Sequence, residues 1–192
     1  MNRRRFILAA PAVAVAALPL AASGRIGPMI ERPAQQLAFA EIIRSTRQRY
    51  FATENEIQRA DIVKERAEML RRLLGDSLAF DGWLMQTMMV SQDKAGNGTV
   101  MLSAHVLPED QYSIANIATA EGDPRGQAFR PGSAEYEVAR SLNKEDAVFA
   151  SGVFFADGDK GLLDVAAVMR RPPAAMFRTP LYPVRFTSLR SA

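Results

Sequence analysis

Ser103 and His105 stand two residues apart in the alternating run Val100-Met101-Leu102-Ser103-Ala104-His105-Val106, a spacing that puts both on one strand face. Joined by a carboxylate from elsewhere, such a pair can carry acyl transfer. No nucleophile-elbow motif surrounds Ser103, so both read as ordinary strand residues. Asp157, Asp159 and Asp164, around Gly158 and Gly161, offer the oxygen ligands that calcium takes. The EF-hand spacing fails there, because Gly161 comes one place early and no glutamate follows, and Asp-Gly pairs are turn formers. The segment is read as a turn.

Trp83 with Phe80, and Phe149, Phe154 and Phe155 further on, have the makings of a stacking platform for single-stranded nucleic acid. Rings on alternating strands more often fill a core, and basic residues are sparse around these. Arg170, Arg171, Arg178, Arg185 and Arg190 follow with no acid after Asp164. Such a strip suits phosphate, anionic lipid or an acidic partner; it equally suits a solvated edge whose charge blocks strand association. Trp83, Arg170, Arg171, Arg178 and Arg185 are therefore the candidate ligand-binding residues. Met85, Met88 and Met89 offer either a pliant surface or core packing.

Composition removes other chemistries. The chain has no cysteine, hence no thiol nucleophile, thiolate metal site, iron–sulfur ligation or disulfide. With a single histidine, His105, a histidine-rich metal site within one chain is excluded as well. No cofactor and no metal are expected.

The amino end joins Arg3, Arg4 and Arg5 to an apolar run from Phe6 to Ala22, followed by Ser23 and Gly24. A basic head, an apolar centre and small residues are the three parts of a cleavable export signal. The run falls short of the roughly 20 residues a spanning helix needs, and Pro11 and Pro19 interrupt it. Arg3, Arg4 and Phe6 resemble the twin-arginine pattern. The expectation is residues 1–23 as signal and a periplasmic or secreted protein with no membrane span after cleavage. Loss of the three arginines leaves 21 basic against 21 acidic side chains, so bulk charge gives no support for nucleic acid.

The elements that must position these residues are helical first and then β. Residues 24–52 read as a lead-in and a helix from Ala34 to about Tyr50. Thr53 and Glu56 have capping-box spacing, and Ile57, Ala60, Val63 (or Lys64), Ala67, Leu70 and Leu74 recur as a stripe ending at Gly75. Strands are predicted over 78–90, 99–107 and 112–119, the first two joined by a glycine hairpin at 93–98. A short helix over 134–142, capped by Ser133, precedes strands over 147–155 and 162–169, and an edge strand over 182–187. Residues 53–192 thus form one helix-plus-β domain. The fold class is α+β: a five- to six-stranded OB-like β-barrel, with an N-terminal helical segment and a short helix between strands 3 and 4.

Five stretches carry a family resemblance: Asn55-Glu56-Ile57-Gln58-Arg59-Ala60, Phe80-Asp81-Gly82-Trp83, Arg130-Pro131-Gly132-Ser133, Ala150-Ser151-Gly152-Val153-Phe154-Phe155 and Val184-Arg185-Phe186-Thr187-Ser188-Leu189. Across residues 55–189 the chain resembles a family of uncharacterised bacterial exported or accessory domains with an OB-like fold. It departs from that pattern where Gly82 precedes Trp83, and where Leu181-Tyr182-Pro183 replaces an acidic residue beside phenylalanine. The resemblance implies the fold and export, and it carries over no catalytic residue. The reading is an exported binding or accessory protein with a protein or small-molecule partner. Its alternatives are a single-stranded nucleic-acid binder of the OB class and a small carboxylate-dependent hydrolase or lyase.

Overall fold

The computed structural model describes residues 31–104, 111–117, 128–158 and 161–192. Arg3, Arg4, Phe6, His105 and Asp159 lie outside them. Helix α1 (Ala34–Ala52) starts directly behind Pro33, and its buried line runs Gln36, Phe39, Ile43, Thr46 and Tyr50 at steps of three and four. Helix α2 (Glu56–Leu74) is capped by Asn55, whose Oδ1 accepts from the Ile57 and Gln58 N–H groups at 2.9 and 3.3 Å. The capping box expected at Thr53 is not formed. Thr53 is engaged with α1 instead, its hydroxyl donating to the Arg49 carbonyl at 2.8 Å.

Of the apolar stripe expected on α2, Leu70 and Leu74 are buried and Ile57 is not. The buried residues of the helix are Ile62, Arg66, Leu70 and Leu74, while Ile57 is 75% exposed. Gly75 ends the helix at φ +66°, its N–H bonded to the Arg71 carbonyl.

Five strands then close into a barrel: β1 (Ala79–Gln92), β2 (Gly98–Ser103), β3 (Ser113–Ala115), β4 (Ala147–Phe154) and β5 (Leu181–Ser191). The order around the barrel is β1-β2-β3-β5-β4. Every neighbouring pair is antiparallel except β3 with β5. Helix α3 (Ala134–Ser141), capped by the Ser133 hydroxyl, lies between β3 and β4 in sequence. This is the OB wiring expected from the sequence, with five strands.

The β1–β2 connection is built on Asp93. Its carboxylate accepts from the Asn97 side-chain amide at 2.9 Å and from the Asn97 and Ala95 N–H groups at 2.9 and 2.8 Å, and these bonds, the Asn97 side chain first, hold its pKa below the ordinary value.

Two expected strands require correction. Residues 162–169 are not a strand: Leu162 makes one bridge to Ala156, and Val165–Val168 is a one-turn helix, α4, capped by Asp164. The closed barrel leaves that segment no open edge to pair with, and an aspartate supplying the first N–H partner favours the helical turn. The carboxyl-terminal segment is not at an edge. Residues Leu181, Tyr182 and Pro183 pair with β3, and β5 from Val184 onwards pairs with β4. Pro183 thus sits where the β3 ladder ends and the β4 ladder begins, a place that tolerates a missing N–H. Between α4 and β5, a short helix α5 (Pro173–Arg178) leads into the last strand.

The core fills the barrel around one ring supplied by α1. Phe39 is fully buried, with ring centroids 5.0 Å from Trp83, 4.8 Å from Tyr112, 5.4 Å from Phe154 and 5.7 Å from Tyr182. One turn earlier, Gln36 acts as a surrogate strand. Its Nε2 donates to the Leu84 carbonyl at 2.7 Å and its Oε1 accepts from the Leu84 N–H at 2.9 Å. Pairing with β2 starts only at Gln86, so this side chain satisfies backbone groups that the ladder leaves over.

Candidate functional site

Helix α2 presents Val63 and Ala67 to the segment that runs from Leu163 through α4 to Met176. A groove of about 670 Å³ opens between them, walled by Val63, Ala67, Leu163, Ala167, Val168 and Met176. Lys64, Glu68 and Asp157 are its charged members, one cation and two acids. The two alanines give the groove its depth. Gly161, at φ +95°, closes the loop against α2 so tightly that a Cβ there would lie 2.7 Å from the Ala67 Cβ.

Behind the groove, a small void of about 20 Å³ shares Val63, Ala67 and Met176 with it and is bounded by Arg66, Phe177 and Tyr182. Arg66 is only 5% exposed. A buried guanidinium is costly unless its donors are used and its charge is compensated. Here it donates to the Met176 carbonyl at 3.0 Å and to the Tyr182 hydroxyl, and it lies 4.6 Å from the centroid of Phe177. Tyr50 stacks on the same Phe177 at 4.2 Å. Arg47, from α1, donates to the Phe177 carbonyl at 2.6 Å and the Gln111 carbonyl at 2.7 Å. Two arginines thus cap the carbonyl end of α5, where the helix dipole favours cations.

Asp164 completes the cluster. It is 1% exposed, and its Oδ1 accepts from the Ala166 N–H at 2.7 Å. Burial pushes its carboxyl up from 3.8 to about 6; the Ala166 N–H, the charge of Arg66 and the Leu181 N–H oppose that rise. Burial also raises the Tyr182 hydroxyl above its ordinary value, partly countered by Arg66. The result is an apolar groove backed by a buried cluster of Arg66, Tyr182 and Asp164.

The residues singled out in the sequence occupy several places. Trp83 is fully buried, its Nε1 donating to the Gln35 Oε1 at 3.1 Å, so it shares no surface with the arginines. Phe80 and Phe154 join it in the core. Arg170 and Arg171 are exposed beyond α4, Arg170 at φ +52°. Arg178 is exposed at the end of α5, its guanidinium 5.8 Å from the ring centroid of Phe51. Arg190 lies 6.0 Å from the Phe149 ring centroid. Arg185 points outward from β5 and lines a second, polar cavity of about 640 Å³ with Asp93, Arg130, Ser133 and Glu135. Asp157 bonds across its loop, its N–H donating to the Gly161 carbonyl at 2.9 Å. Among the described residues no three His, Cys, Asp or Glu side chains gather in a metal-binding group, and no helix is long and apolar enough to cross a membrane.

Arg66, Tyr182, Phe177 and Arg47 were not among the expected site residues. One signal for Arg66 existed: it falls on the i, i+4 line of Ile62, Leu70 and Leu74, a charge inside an apolar series. Comparison with protein-family models, curated proteins and solved structures finds no significant match to this chain.

Proposed function

We propose that this chain is a small exported binding or accessory protein that takes a compact, largely apolar small molecule in the groove between α2 and α4. The observation that carries the reading is the groove itself. Its volume of about 670 Å³ falls within the roughly 300–1,000 Å³ typical of small-molecule sites. Its walls are aliphatic and its few charges sit among both signs, which suits a ligand with an apolar body and little net charge. Arg66, donating to the Met176 carbonyl and lying over the Phe177 ring, ties α5 to α2 and so supports one wall, while Asp164 caps the helix that forms another. Export is supported by the basic head at Arg3, Arg4 and Arg5 and the apolar run behind it.

The test is binding of an apolar fluorescent probe, 1-anilinonaphthalene-8-sulfonate, to the folded chain. A saturable site with one-to-one stoichiometry is expected. Ala167→Trp, which fills the groove from α4, removes it while the far-ultraviolet circular dichroism stays native. Unchanged probe binding in that variant overturns the assignment. For export, the amino-terminal sequence of the protein recovered from an envelope fraction begins near residue 23 or 24; a cytosolic product that retains Met1 overturns that part.

A further inference from the structure

The barrel carries a second feature, unconnected with the groove. Strand β1 outruns β4: its ladder with β4 spans Ala79–Gln86, and from Gln86 to Gln92 it pairs with β2. The register with β2 slips between Thr87 and Met89, so that Thr87 faces Leu102, Met89 faces Met101, and Met88 is the extra residue. A bulge of this kind sets two consecutive residues of one strand opposite one residue of its partner. Met88 and Met89 are 37% and 43% exposed, and Met101 is half-buried across from them. The bulge is fixed from the other side, where the Thr87 N–H donates to the Asp146 carbonyl at 2.8 Å and its carbonyl accepts from the Glu145 N–H at 2.7 Å.

The register thus sets Met88 and Met89 opposite Met101, with all three at least partly exposed on the two-stranded ribbon. Directly opposed cross-strand residues have Cβ atoms about 5 Å apart, and methionine has three rotatable bonds with which to converge its sulfur. The flanking cross-strand pairs, Gln86 with Ser103 and Ser91 with Thr99, carry no charge. Thioether sulfur is a soft ligand that selects monovalent copper over harder divalent ions. The chain has no cysteine and one histidine to compete for such an ion. We propose that Met88, Met89 and Met101 form a binding site for a soft monovalent cation of the copper(I) and silver(I) class.

Silver(I), which needs no reductant, is the probe. Calorimetric titration of the purified chain is expected to show one silver ion bound per chain, with an affinity that holds from pH 7 to pH 4, because a thioether has no proton to lose. Met88→Leu, Met89→Leu and Met101→Leu each weaken binding at least tenfold. Met85→Leu, at a core position, and His105→Ala leave it unchanged. In the wild-type chain with 13C-labelled methionine methyls, silver shifts the signals of residues 88, 89 and 101, a readout that does not depend on any variant folding. Absence of saturable binding, loss of binding with His105→Ala, or methyl shifts confined to other methionines overturns the proposal. So does a patch that drives self-association in sedimentation without taking up silver.

Discussion

Replacing Asp164 by asparagine tests the buried cluster through its pH dependence. In the folded chain the carboxyl titrates at about 6, against 3.8 ordinarily. Between those two values the native state keeps a proton that the unfolded chain has lost. Stability from this group is therefore fully present below about pH 4, declines as the pH rises, and is gone a little above pH 6. A displacement of about two pKa units corresponds to about 3 kcal/mol. Asparagine keeps an oxygen to accept the Ala166 N–H and removes the charge, so it mimics the protonated acid. Asp164→Asn is expected to match the wild type in urea unfolding at about pH 3 and to exceed it by about 3 kcal/mol at about pH 7.5, with most of the change between about pH 4 and 6. Other titrating groups are common to both proteins and cancel in the difference. A difference constant with pH, or one that favours the wild type as the pH rises, refutes the reasoning; the latter places Asp164 in a stabilising ion pair with Arg66.

Two further substitutions probe the frame around the site. Gln36→Leu keeps the apolar volume but strips both backbone groups of Leu84 of their partner; a loss of about 2–4 kcal/mol in urea unfolding, with an unchanged m value, is expected. Gly161→Ala forces a Cβ against Ala67 at 2.7 Å, an overpacking cost of about 1–3 kcal/mol to which the positive φ adds, and calorimetry should record a lower Tm together with weaker probe binding in the groove.

Architecture was more legible than the site. Alternation in β1 and β4, the turn at Asp93–Gly98 and the Ser133 cap were each written in local residue types, and their order named the barrel wiring. What failed was decided by tertiary context. The apolar stretch from Leu162 onwards has strand-like residues, yet a closed barrel has no edge for it, and Asp164 starts a helical turn instead. The proline at 183 suggested an edge, whereas its actual place is the junction between two ladders. On α2, the packing of residues 176, 177 and 182 against the helix puts Arg66 on the buried line with Ile62, Leu70 and Leu74. Periodicity cannot show that an arginine belongs inside, because its partners come from positions 164, 176, 177 and 182, more than 90 residues away. The groove depends on those same distant contacts.

Because β5 is stitched to β3 on one flank and β4 on the other, it is the keystone of the cylinder. A nascent chain whose residues 181–191 are still inside the ribosome exposes two naked strand rims at once, each a template for unwanted pairing. Assembly is then concluded by a late, long-range zippering step, the kind that topology makes slow. During that interval the polypeptide is vulnerable to aggregation, and any chaperone that helps it must shield those rims.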